Sequence, residues 1–216
     1  ANSDNIGYMI PVPVIKHFLE DIKDGAYEGF PMLGVFTETL ENISYRRYLG
    51  MKDDQSGVLV SVMIPNGGAE KFLRRGDVIL SIDSVPIAND GTIRFMNGRI
   101  FYSYLIDLKQ INETVRLGVL RNGNVITVSY PLKSYSPRIS WFNEFEKLPR
   151  YCVVAGLIFQ PLSKEYLMTW NKWWHTADRL LLYYYSFHIS DNLFPERREF
   201  VVLNRVLPDP ANTYLS

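Results

Sequence analysis

Alternation and periodicity divide the chain into short elements. Gly57-Val-Leu-Val-Ser-Val-Met-Ile64 is apolar and β-branched, which predicts a strand, as does Val78-Ile-Leu-Ser-Ile-Asp83. Between them, Pro65-Asn-Gly-Gly68 is a turn and Ala69 to Leu73 fits one or two helical turns. Thr114–Leu120 and Val125–Leu132 predict a hairpin, because their loop, Arg121-Asn-Gly-Asn124, carries the Asn-Gly signature of a type I′ turn. Val85-Pro86-Ile87 reads as a short strand or bend, and residues 88–98 as a polar insert. Apolar residues at 101, 104, 105 and 108 predict a helix over Arg99–Leu108.

Upstream, Ile6 to Ile10 predicts a short strand. Pro13 suits a first helical turn, Val14, Phe18, Leu19 and Ile22 share a helical face, and Gly25 is a helix stop. Tyr27 to Leu40 then combines a Gly/Pro turn with Leu33-Gly34-Val35-Phe36 and a strand from Val35 to Leu40. Residues 41–50 are polar and helix-compatible, ending at Gly50. The sum is a mainly β, α+β architecture: a small, partly open β-barrel capped by two helices.

Downstream, a linker over 135–150 holds Pro137, Pro149 and the aromatics Trp141, Phe142 and Phe145, so it is expected to pack on a domain face. A second module follows: a first strand within Tyr151–Phe159, a helical turn at Ser163–Leu167 and a helix over Trp170–Ser186. Trp173, Ala177, Leu180, Leu181 and Tyr184 form a stripe on that helix, expected to be core. The remaining aromatics, Trp174 among them, are candidates for contact with another subunit.

Charge narrows the partners. Lys+Arg and Asp+Glu each number 23 in 216 residues, so no long-range pull toward nucleic acid or anionic lipid is expected. Hydrophobic residues make up 47%, enough for a sizeable core, but no apolar run approaches a membrane span. Cys152, the single cysteine, excludes an internal disulfide and a cysteine-rich zinc site. His175 and His188 lack metal-ligand companions and are read as structural or surface residues, and His17 as a partly exposed helical histidine. No metal or cofactor is expected.

Gly76-Asp77-Val-Ile-Leu-Ser-Ile-Asp83 and Leu120-Arg-Asn-Gly123 carry a resemblance: Gly57 to Leu132 resembles a PDZ domain of the Deg/HtrA serine protease family. Ala88-Asn-Asp-Gly-Thr92, followed by Ile100 to Leu105, is similar to its plant-type branch. Ile6-Gly-Tyr-Met-Ile-Pro-Val-Pro13 is similar to the closing strand of its trypsin-like protease domain, and Tyr151–Phe159 with Phe200–Leu207 to the start of a second PDZ domain. The resemblance implies a division into 1–26 (protease-domain tail or arm), 27–134 (first PDZ domain), 135–150 (linker) and 151–216. That last part would be a second PDZ-like module with a helical insertion, incomplete because the equivalents of the longer helix and closing hairpin are missing. It implies an upstream protease domain acting on unfolded or damaged proteins, a homo-oligomer (trimer or hexamer), and a bacterial periplasm or envelope, or an organelle, as the compartment.

The candidate site follows from the glycine turn. N–H groups at Leu33, Gly34 and Val35 can hold a carboxylate, and a strand with a free edge can accept an extended peptide or a protein C-terminus. Phe36 and Phe101, with Tyr104 or Leu105, would shape the pocket, while Leu105 and Leu108 are also expected to pack in the core. Trp173 and Trp174 are the oligomer-contact candidates. No catalytic residue is assigned: Gly-Asn-Ser-Gly-Gly and Gly-x-Ser-x-Gly are both absent, and Asp77, Asp83, Asp90 and Asp107 read as solvated turns or caps. The alternative function is an oligomerisation or scaffold module joining protease protomers.

Overall fold

The computed structural model describes residues 10–135, 137–141 and 148–212. The proposed strand at Ile6–Ile10 lies almost wholly outside them. The chain forms two compact units, one up to Tyr135 and one from Ser136 onward.

The first unit opens with helix α1 (Val12–Asp21) and a 3-10 turn (Ile22–Asp24), closed by Gly25 at φ +84°. His17 on α1 is buried, with its ring stacked 4.0 Å from Phe30. The partly exposed histidine expected at this position is therefore corrected: the helix packs this face onto the segment that follows. Strands β1 (Pro31–Met32) and β2 (Val35–Thr39) come next, then α2 (Ile43–Tyr48), whose N-terminus is capped by the Asn42 side chain. Strands β3 (Val58–Met63), β4 (Val78–Ile82) and β5 (Val85–Pro86) follow. Ala69–Leu73 makes a single helical turn through Leu73 N–H to Ala69 O.

The predicted helix over Arg99–Leu108 is only half there. Residues 92–101 form a hairpin, β6 (Thr92–Phe95) with β7 (Gly98–Phe101), and helix α3 spans only Ser103–Asp107. Arg99-Ile-Phe101 pairs with Thr92-Ile-Arg94 across a turn in which Met96 takes φ +48°, so strand pairing claims the first turn of the expected helix. Strands β8 (Thr114–Arg121) and β9 (Asn124–Pro131) form the predicted hairpin, with Asn122 at φ +51° and Gly123 at φ +76°. β10 (Lys133–Ser134) pairs with β1.

The main sheet runs β2-β3-β4-β8-β9, with β5 beside β4 and β2 at one end, so the sheet is open and no closed barrel forms. Its core gathers Val35, Val58, Val60, Ile79, Ile82, Val115, Leu117 and Tyr130, covered by Tyr102 and Ile106. Asp77, expected as a solvated turn or a cap, is buried and caps its turn: Arg74 N–H donates to it at 2.8 Å, and Arg121 donates to both its oxygens at 2.8 and 2.7 Å. Leu108 is half exposed rather than core.

The second unit holds strands β11 (Cys152–Val154), β12 (Leu157–Pro161) and β13 (Val201–Val206) in one antiparallel sheet. Between β12 and β13 lie α4 (Lys164–Leu167), α5 (Trp173–Thr176) and α6 (Arg179–Phe187). The single helix expected over Trp170–Ser186 is thus two. Ala177 is extended, and Asp178 starts a new helix by accepting from Leu180 and Leu181 N–H. Trp173, Ala177, Leu181 and Tyr184 still pack on the unit's core, while Leu180 is exposed. Arg138 and Ile139 of the linker are buried here, Arg138 donating to the carbonyls of Leu193, Phe194 and His188. Phe142 and Phe145 lie outside the described residues.

Candidate functional site

The site is built around a glycine that only glycine can be. Gly34 has φ +77°, and a Cβ there would lie 2.5 Å from Gly67 O. Its carbonyl accepts from Ile64 N–H at 3.0 Å, and the carbonyl of Leu33 accepts from the buried Tyr130 hydroxyl at 2.7 Å. Phe72 stacks on Tyr130 at 5.2 Å, and burial raises the Tyr130 pKa far enough to keep the phenol protonated as a donor. Both carbonyls of the turn are therefore used inside the domain. The N–H groups of Leu33 and Gly34 find no acceptor among the described residues. A turn with its oxygens tied back and its N–H groups free presents partial positive charge, which suits a carboxylate.

From this turn β2 runs along the sheet edge. It pairs with β3 on one side, from Val35↔Met63 to Thr39↔Val58, with a bulge after Phe36. No described strand pairs with its other side. Tyr102, just before α3, reaches this strand: its hydroxyl is 2.8 Å from Thr37 Oγ1. α3 itself lies against β1 at the glycine-turn end. The Tyr102 hydroxyl thus ties the start of α3 to β2.

The predicted site residues divide accordingly. Leu33, Gly34 and Val35 are buried in the turn, and Phe36 beside them is partly exposed. Leu105 packs partly on the core. Phe101 and Tyr104 have packing partners of their own: Phe101 covers Gly91, where a Cβ would sit 2.6 Å from its ring, and Tyr104 meets Phe95 edge-on at 4.9 Å. Tyr102 was missed. Its single hydroxyl among many aromatics gives no signal in sequence, since its partner Thr37 is remote along the chain. Among the described residues no cluster of His, Cys, Asp and Glu could hold a metal ion, and no helix is long and apolar enough to cross a membrane.

A mainly β domain with an edge strand that follows a glycine turn, and with a short helix packed at that turn, is a PDZ-type domain. A family model described as "PDZ domain" matches residues 142–215, in the second unit. "Protease Do-like 4, mitochondrial" of Arabidopsis thaliana is 38% identical over 168 residues, covering 77% of this chain and 32% of that protein. "Protease Do-like 2, chloroplastic" of the same plant is 37% identical over 164 residues, 75% of this chain and 27% of that protein. A solved structure titled "HtrA-type protease AlgW with decapeptide" is 25% identical with a TM-score of 0.45, covering 62% of this chain and 38% of that one. The chain belongs to the PDZ region of the Deg/HtrA protease family. It spans about a third of the length of the curated relatives it matches.

Proposed function

We propose that the first unit binds extended peptides or free protein C-termini by adding them as a strand to β2, and so recruits substrate to, or regulates, a protease domain of the same protein. The observation that carries this reading is the outer edge of β2, directly after the Leu33-Gly34 turn, with which no described strand pairs. The ligand's main chain would pair with β2 and its carboxylate would take the N–H groups of Leu33, Gly34 and Val35. Phe36 and Leu105, with Phe101 and Tyr104, would shape the pocket for its terminal side chain. The longer protein would be a serine endopeptidase of unfolded or damaged proteins, working in an organelle or a bacterial envelope, as its mitochondrial, chloroplastic and periplasmic relatives suggest. Residues 1–26 would be an arm or protease-domain tail, 27–134 the first PDZ domain, 135–150 the linker and 151–216 the second module. Fluorescence polarisation with labelled peptides ending in Val, Leu or Phe tests the binding. Saturable binding that is lost on C-terminal amidation supports it, and equal affinity for the amidated peptides refutes it.

A second reading, assembly of protomers into a trimer or hexamer, is favoured by Trp174. It is more than half exposed and stacked 3.8 Å from Trp173. Trp173 packs on the core and would support this surface from beneath. Sedimentation of Trp174→Ala against the unaltered chain decides: self-association that weakens supports assembly, and a monomer in both cases removes it.

A further inference from the structure

The two units repeat one local design, residue for residue. Val35↔Met63, Phe36↔Val62, Thr37↔Val60, Glu38↔Leu59 and Thr39↔Val58 in the first correspond to Leu157↔Val206, Ile158↔Arg205, Phe159↔Leu203, Gln160↔Val202 and Pro161↔Val201 in the second. The bulge falls at the same place, skipping Ser61 in one and Asn204 in the other. The turns correspond as well. Gly156, at φ +75°, has a carbonyl that accepts from Leu207 N–H, as Gly34 does from Ile64. Ala155 O accepts from the Asn212 side chain at 2.8 Å, as Leu33 O does from Tyr130. A Cβ at Gly156 would lie 2.6 Å from Leu207 O. Strand β12 is therefore the counterpart of β2.

The units differ on the outer side of that strand. No described strand pairs with β2 there, whereas β12 carries β11: Cys152↔Phe159, Val153↔Ile158 and Val154↔Leu157. β11 runs antiparallel to β12, and its C-terminal end, Val154, enters the Ala155-Gly156 turn. That is the direction and position a bound peptide would take on β2. Ala155 at φ +49° and Gly156 at φ +75° make the two-residue reversal that lets the chain fold back on its own edge.

We propose that β12 is a second peptide-type edge and that residues 152–154 occupy it as an internal ligand, so this unit does not take outside peptides until β11 detaches. The class of ligand it accepts is an extended apolar segment, as Cys152-Val153-Val154 is. The inference takes from the proposed function only the reading of β2 as an accepting edge. In a two-residue hairpin the pair beside the turn is hydrogen-bonded and bonded pairs then alternate, so Leu157 and Phe159 direct their amides to β11.

Amide exchange and peptide titration by NMR test this on the whole chain and on a Val154→Pro variant, which removes one β11 donor. The probe is a synthetic peptide copying residues 150–154 with serine in place of the cysteine. In the unaltered chain, Leu157 and Phe159 amides should exchange at least about tenfold more slowly than those of Ala155 and Gly156, and the peptide should leave them unmoved. In the variant, protection should fall and the peptide should shift both signals. Fast exchange at Leu157 and Phe159 in the unaltered chain, or shifts there on adding peptide to it, overturns the proposal. If the variant unfolds, the exchange comparison in the unaltered chain decides alone. Failure of the first unit to bind would appear at Gly34, so the two readings fail separately.

Discussion

Thr37 on the edge strand β2 and Tyr102 at the entrance to α3 meet through their side-chain oxygens, 2.8 Å apart. This bond ties the start of the helix to the strand. Tyr102 is buried, and burial raises its pKa, so the phenol stays protonated and available to the bond. Tyr102→Phe keeps the ring packed and removes only the hydroxyl. The expected loss of stability is about 1 kcal/mol, measured by urea unfolding, and Thr37→Val should cost a similar amount without adding to it.

The glycine turn is expected to tolerate no side chain. Gly34→Ala puts a Cβ into Gly67 O and also into a left-handed backbone. A loss of about 2 kcal/mol or more should appear in thermal unfolding, with peptide binding reduced further than the fold itself. Gly76 is the control: it also has positive φ, but a Cβ there meets nothing within 4 Å, so Gly76→Ala should show the backbone strain alone.

The Arg121–Asp77 pair joins the two sequence motifs that carried the family resemblance. Arg121→Ala leaves a buried carboxylate held by one backbone N–H, at an expected cost of about 3 kcal/mol, moderated by the partial exposure of Arg121. Denaturant unfolding would show it as a lower midpoint with an unchanged slope.

These cases also show what could be read in advance. The Asn122-Gly123 hairpin, the strand at Val58–Met63 and the Gly25 helix stop were legible because each depends on neighbours in sequence. The 92–101 hairpin was not, since its turn uses Met96 at positive φ and its second strand carried helical spacing as well. The burial of Asp77 was hidden because Arg121 lies 44 positions away. In the second unit the break before Asp178 had a capping residue in plain view, but the apolar stripe ran across it. The candidate site was half legible: the glycine turn, β2 and a helix near Leu105 by pattern, but not the shortening of that helix to Ser103–Asp107 nor the Tyr102 contact with Thr37. Equivalent positions also differ in ways a pattern does not record. Val58 and Val60 are 1% and 0% exposed, whereas Val201 and Leu203 are 59% and 49% exposed.

His188 should make the second unit sensitive to acid. Its Nδ1–H donates to Tyr184 O at 2.8 Å, leaving Nε2 buried with no partner among the described residues. Burial, reinforced by the Arg138 charge, lowers its pKa below the ordinary 6.5, so the unfolded chain binds the proton more readily. Stability is then complete above about pH 6.5 and falls as pH drops toward and through the lowered folded-state pKa. Urea unfolding of the unaltered chain and of His188→Gln between about pH 7.5 and 5, the window in which histidine titrates, should show the steeper loss in the unaltered chain.

The most direct test of the account is an NMR titration of the whole chain with a free-carboxylate peptide ending in an apolar residue. The account predicts saturable shifts at the amides of Gly34, Val35 and Thr37, abolished when the peptide is C-terminally amidated. Saturation with those amides unmoved, and shifts elsewhere on the surface, would contradict it.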